Sequence, residues 1–240
     1  MPRRSVDRRL RSAALRGAES DAGVDVRLDG LIFDVDGTVA DNLLQVFNAF
    51  RAGFAAGGAG HYSDEDIFGL FGPSPEEIFQ RAMPSQWQHA IKQCYQHYQA
   101  SVSAQTIVVP ALADALATAA GAGVRLGVVS GGSHRLVALT LEALDLQGRF
   151  ADILANAVPA VPKRDHLARM AGLWKLAPHR LAYVGDSPND MTHARDAGMT
   201  PLGAAWARES RPGALRRAGA AAVFTHPGEL LAWLAGETSV

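Results

Sequence analysis

Residues 31–41 read LIFDVDGTVAD, and this stretch decides the fold. Leu31, Ile32 and Phe33 form a short apolar run of the kind that makes a buried strand. Asp34 and Asp36 interrupt it, one residue apart, and Gly37 and Thr38 follow. Packing does not explain two carboxylates and a glycine at the carboxyl end of a hydrophobic strand. In a parallel sheet, ligands sit outside the carboxyl ends of the strands. Side chains at i and i+2 of an extended chain project on the same side, so Asp34 and Asp36 are expected to converge. Crowded carboxylates repel each other unless a proton or a cation joins them. The spacing therefore predicts a divalent-metal site with a carboxylate free to attack.

Downstream, two regions differ in character. Residues 41–107 carry apolar positions at helical spacing, such as Leu43, Leu44, Phe47 and Phe50. Ser63, followed by Asp64, Glu65 and Asp66, is a good helix start. Ser74, Pro75 and Glu77 predict an N-cap, a first helical residue and the third position of a capping box. From residue 108 onward strands and helices alternate, which implies a parallel sheet covered on both faces. The strand at 31–35 belongs to that sheet. The expected organisation is an α/β, Rossmann-like core at 29–40 and 108–240, an inserted all-helical segment at 41–107, and an arginine-rich flexible tail at 1–28.

Three further places carry chemistry. Ser130 ends the strand VRLGVVS and precedes Gly131 and Gly132, a pattern that lets backbone N–H groups approach an anion. Read alone, it is equally an ordinary strand-to-helix turn, and the neighbouring His134 reads as a helix-surface histidine. Lys163 opens a helix after Pro162, with Arg164 as a second cation; a lone lysine there is also an ordinary solvated side chain. The strand LAYV leads to Gly185-Asp186-Ser187-Pro188-Asn189-Asp190, so a second acid stands at a strand's carboxyl end. Asp190 also suits the first turn of a helix on electrostatic grounds alone.

Taken together, Asp34-Val35-Asp36-Gly37-Thr38, Ser130, Lys163 and the Gly-Asp-Ser-x-x-Asp run resemble the four motifs of the haloacid dehalogenase superfamily, in their order. The departure is at the third motif, where proline precedes the lysine and arginine follows it. The helical insert stands where that superfamily carries a type C1 cap, and LFGPSPEEIF resembles a cap segment of phosphoglycolate-phosphatase-like members. The resemblance implies a phosphatase acting on a small phosphorylated metabolite. It implies Asp34 as nucleophile and Asp36 as general acid and base, with Lys163 balancing charge. Ser130, Gly131 and Lys163 would hold the phosphoryl oxygens. Mg²⁺ would sit on Asp34, the backbone carbonyl of Asp36 and Asp186, with Asp190 behind them. Dehalogenase members lack the second acid, so Asp36 points to phosphates. Other readings are a β-phosphoglucomutase-like transfer, phosphonate hydrolysis with Lys92 as its amine, or a silent binding protein of the same fold.

Within the insert, Asp41, Asn42, Arg51, Arg81 and Lys92 are candidates for choosing the substrate, and each reads equally as part of a solvated helix face. Trp87, Tyr95 and Tyr98 read as the insert's own core, with Cys94 a small buried hydrophobe. A net charge of -1 gives no global field toward nucleic acid or an acidic membrane. The single cysteine excludes an internal disulfide and suits a reducing compartment. No apolar run approaches the roughly 18–20 residues of a bilayer span. The expectation is a cytoplasmic monomer or homodimer without nucleic-acid or membrane partners.

Overall fold

The computed structural model describes residues 28–236. The arginine-rich stretch therefore lies outside the described residues, except for Leu28, which is buried in the core. Leu28, assigned to the tail by the sequence, is thus part of the packed core.

Six strands form one parallel sheet: β1 (Gly30–Phe33), β2 (Arg125–Ser133), β3 (Asp152–Asn156), β4 (Leu181–Gly185), β5 (Thr200–Ala204) and β6 (Ala222–Phe224). Their spatial order is β3-β2-β1-β4-β5-β6, which places β1 inside the sheet with all four residues buried. The alternation of a strand divides its side chains between two cores. Leu31 and Phe33 join one apolar cluster, and Ile32 joins another on the opposite face. The first face is covered by Leu112–Gly121, His134–Ala143 and Pro227–Leu234, and the second by Lys163–Trp174 and Pro188–Asp196. Trp174 lies flat on the sheet because Gly30 and Gly127 leave room for it: a Cβ at these positions would stand 2.6 Å and 2.7 Å from its ring.

The segment between β1 and β2 is helical, with α1 (Leu43–Ala56), α2 (Asp64–Leu70), α3 (Pro75–Ala82), α4 (Trp87–Ser101) and a single turn α5 (Ala104–Ile107), followed by α6 (Leu112–Gly121). After β2 come α7 (His134–Ala143), α8 (Lys163–Trp174), α9 (Pro188–Asp196), α10 (Pro212–Arg217) and α11 (Pro227–Leu234). Helices α1 to α4 pack an aromatic cluster of their own, with Phe50 stacked on Phe79 at 5.4 Å. Leu136 and Leu139 of α7 complete that cluster, so the helical segment rests on the sheet's own helices. Ser63 caps α2 in a capping box with Asp66. Ser74 caps α3 by accepting from the Glu77 N–H, but the expected box does not close. The Glu77 carboxylate instead accepts from the Ala160 N–H at 3.1 Å, across the cleft. Among the described residues no helix is long and apolar enough to cross a membrane.

Candidate active site

Strand β1 ends at Phe33, so Asp34 and Asp36 belong to the loop that follows and not to the strand itself. The Asp34 N–H still donates to the Val184 carbonyl at 2.9 Å, which fixes the first carboxylate over the sheet edge. The loop then folds on itself: the N–H groups of Thr38, Val39 and Ala40 all donate to the Val35 carbonyl. This fold replaces the i, i+2 alternation expected for the two aspartates. Gly37 has φ +78°, a conformation that favours glycine, and a Cβ there would overlap the Asp186 carboxylate.

One cation ties the acids together. Lys163, the first residue of α8, donates to Asp34 Oδ2 at 2.8 Å and to Asp190 Oδ1 at 2.6 Å. Asp190 spends its other oxygen on the Ser187 N–H and hydroxyl, at 3.1 Å and 2.7 Å. Asp190 is therefore fully engaged, as the N-cap partner of α9 and as an anchor for Lys163. Asp34 Oδ1 is buried with no hydrogen-bond partner, and Asp186 makes no ion pair among the described residues. Carboxylate oxygens of Asp34, Asp186 and Asp190 lie within 4.8 Å of one another. Burial pushes Asp34 up to about 7, with Lys163 opposing the shift. Burial, then the charges of Asp190 and Asp34, holds Asp186 well above the usual carboxylate range. Burial disfavours the Lys163 ammonium, but Asp190 and Asp34 outweigh it and keep the group charged. This is an excess of buried negative charge around two carboxylates, Asp34 and Asp186, that have room for a cation. Their hard oxygen donors suit Mg²⁺, Ca²⁺ or Mn²⁺.

Asp36 faces a different partner. Its Oδ1 accepts from Asn42 Nδ2 at 2.5 Å, and the same amide donates to the Tyr98 hydroxyl at 2.6 Å. Tyr98 in turn shares a hydrogen bond with Thr140 at 2.7 Å. Burial raises Asp36, and the Asn42 bond opposes the shift. Ser130 is buried, its Oγ accepting from the Gly132 N–H at 3.0 Å. Asn156 shapes this loop, donating to the Gly131 carbonyl at 3.1 Å and accepting from the Val161 N–H at 3.0 Å. Sequence reasoning missed Asn156; its one signal was a polar residue closing the strand DILAN.

Asp34, Asp36, Ser130, Gly131, Lys163, Asp186 and Asp190 all line one cavity of about 530 Å³ between the sheet edge and the helical segment. Of the candidates in the insert, Arg81 lines it too. Arg51 is turned toward Tyr62, Asn48 and Asp64, and Asp41 pairs with Arg208. Lys92 and His134 are exposed outside the cavity, and Arg164 pairs with Asp165. Cys94 and Tyr98 are buried in the aromatic cluster, with Trp87 and Tyr95 packed against it. The hydroxyls of Tyr95 and Tyr98 nevertheless reach beyond it, Tyr95 to Glu76 and to Ser133 at 2.9 Å.

Comparison with known proteins places the chain among relatives. The phosphoglycolate phosphatase of Synechococcus elongatus is 28% identical over 185 residues, covering 77% of this chain and 87% of that protein. That of Escherichia coli K12 is 25% identical over 201 residues, covering 72% and 80%. Among solved structures, a hydrolase from Pseudomonas syringae superposes with a TM-score of 0.73 at 22% identity, over 88% of this chain and all of that one. CbbY from Rhodobacter sphaeroides, in complex with phosphate, does so with a TM-score of 0.71 at 24% identity, over 86% and 99%. At those identities the structures establish the fold alone. The family model for haloacid dehalogenase-like hydrolases matches residues 31–204, a span that opens on β1 and closes on β5, and the chain belongs to that family.

Proposed function

We propose that this chain is a phosphatase that hydrolyses the phosphate monoester of a small metabolite through an aspartyl-phosphate on Asp34. One observation carries the reading: Lys163 holds one oxygen of Asp34, which lines the cavity, while the other oxygen is buried and unpartnered. Such a carboxylate is oriented and available as a nucleophile. The names of the curated relatives make phosphoglycolate the first ester to test.

In this reading Asp34 attacks phosphorus while the bond to the leaving oxygen breaks, and that oxygen takes the proton of Asp36. Burial keeps Asp36 toward the protonated form that a general acid needs. Asp36, now a carboxylate, accepts a proton from the water that attacks the aspartyl-phosphate, and inorganic phosphate leaves with Asp34 restored. Ser130 Oγ, the Gly131 N–H and Lys163 hold the phosphoryl oxygens, and the Asn156 bond to Gly131 keeps that loop in place. Asp34, Asp186 and the Asp36 carbonyl would hold Mg²⁺, which supplies charge neutralisation to the phosphoryl group. Residues 41–107 act as a cap that excludes bulk water.

The test is phosphate release from a panel of esters with Mg²⁺ and with EDTA. Metal-dependent release is expected, and Asp34→Asn should lower it by about three orders of magnitude or more while leaving the fold intact. Substantial turnover by the Asn variant would remove Asp34 from the nucleophile's role. Lys92, the amine that phosphonate chemistry would need, stands exposed outside the cavity.

A further inference from the structure

The groups that hold a phosphoryl moiety occupy one end of the cavity, and none of that chemistry uses the other end. There the wall comes from the helical segment: Leu43, Val46 and Phe50 of α1, Phe68 of α2, Phe71 just after it, and Ile78 of α3. Val46, Phe50 and Ile78 are buried, but Phe68 and Phe71 remain 55% and 38% exposed. Phe71 lies 5.7 Å from both Phe50 and Phe68, ring centre to ring centre, so the rings form one continuous apolar surface. A contiguous apolar surface left wet inside a cavity marks a binding face, unlike single exposed residues scattered on a surface. Nor does the exposure reflect a helical segment standing away from the sheet. Glu77 already reaches the Ala160 N–H, and Tyr95 already reaches Ser133.

Charge points the same way. Asp34, Asp36, Glu77, Asp186 and Asp190 line the cavity, against Lys163 and Arg81 as cations. Lys163 is committed to Asp34 and Asp190. Among the described residues a second anionic group on the substrate would find Arg81 and His193, whose burial favours the neutral ring. A two-carbon hydroxy acid would also leave most of the 530 Å³ to water.

We propose that the preferred substrate is the phosphate monoester of an apolar alcohol, an alkyl chain or aromatic ring of about six carbons or more, whose leaving group packs on Phe68 and Phe71. This rests on the phosphatase reading, and the products are the free alcohol and inorganic phosphate, with one water consumed.

The test compares ethyl, butyl, hexyl and 2-phenylethyl phosphates with phosphoglycolate, using the full chain with Mg²⁺. The alkyl esters share one kind of leaving oxygen, so differences among them report binding of the carbon chain. Each buried methylene is expected to raise kcat/KM about fourfold, so the methylenes that separate hexyl from ethyl phosphate give about 250-fold when all of them are buried and about 16-fold when half are. The double variant Phe68→Ser, Phe71→Ser should collapse the hexyl-to-ethyl ratio toward one. A flat series, or one in which phosphoglycolate is best, overturns the inference while upholding the phosphatase. Calorimetry with ethylphosphonate and hexylphosphonate separates the two claims, because neither ligand needs turnover. Tighter binding of hexylphosphonate supports the apolar wall even if no ester is hydrolysed, an outcome that would instead overturn the phosphatase reading. Equal binding of the two overturns the inference.

Discussion

At Asp34, burial and ion pairing pull in opposite directions, and burial wins: the carboxyl moves from 3.8 to about 7. The folded state therefore holds this proton more tightly than the unfolded chain does. The group's contribution to stability is fully present below 3.8 and is lost as pH rises to about 7, after which the buried charge persists as a cost. Asp34→Asn removes that cost. In EDTA at pH 8 the variant should melt higher than the unaltered chain, by about 3 °C or more, the shift given by 1 kcal/mol at this size. The gain should fade toward pH 4. Thermal melts across that range check it, and a lower melting temperature at pH 8 would mean that losing the Lys163 pair outweighs relieving the burial. Asp34, Asp36 and Asp186 were legible because carboxylates just past an apolar strand have no packing reason to be there, whereas Asp190 read equally as an acid in the first turn of a helix. The overlap that forces glycine at 37 was not legible, since it depends on Asp186 pressing from another strand.

Between elements, the telling feature is a line of hydrogen-bonded side chains from the half-buried Asp36 through the buried Asn42 and Tyr98 to Thr140. It joins the loop after β1 to α4 and to α7, and Tyr98 and Asn42 stand 56 positions apart in sequence. Such a line cannot be read from composition: Tyr98 looked like ordinary apolar filling, and Asn42 read as a candidate for choosing the substrate or as part of a solvated helix face. The periodic helices and the strands that lead to Ser130 and Asp186 were legible, although β2 runs on past the expected end at Ser130 to Ser133 through an irregularity in its pairing with β3; α10 and α11, six and eight residues long, were too short to show a period. Tyr98→Phe keeps the ring in its cluster and removes the hydroxyl. It should destabilise the fold by about 1 kcal/mol, because Asn42 and Thr140 each retain another partner. It should also free the Asn42 amide that holds Asp36. Turnover should then fall several-fold further on alkyl phosphates, whose leaving oxygens need a proton, than on an aryl phosphate, whose leaving oxygen needs it less. Equal losses on both esters would make Tyr98 a packing residue only.

Across the whole molecule, the helical segment and the sheet meet in two ways. Leu136 and Leu139 of α7 extend the aromatic cluster and form an apolar seat. The other contacts are polar: Tyr95 reaches Ser133, the N-cap of α7, and Glu77 reaches the Ala160 N–H. The Glu77 contact holds the loop that runs from Asn156 to Lys163, so a residue of α3 helps to fix where the site's only cavity-lining lysine begins its helix. The same loop has a second anchor in the bond from the Val161 N–H to Asn156. Removing the carboxylate should therefore loosen the loop without releasing it. Glu77→Ala leaves the Ala160 amide without its acceptor, and a hydrogen bond to a charged group is worth about 1.5 kcal/mol or more. Amide exchange at Ala160 should speed up by about tenfold, while the strands of the sheet keep their protection. Glu77→Gln, which retains an acceptor oxygen, should restore most of it. If exchange at Ala160 is unchanged in the Ala variant, the loop is held by Asn156 alone and the helical segment does not reach across to order it.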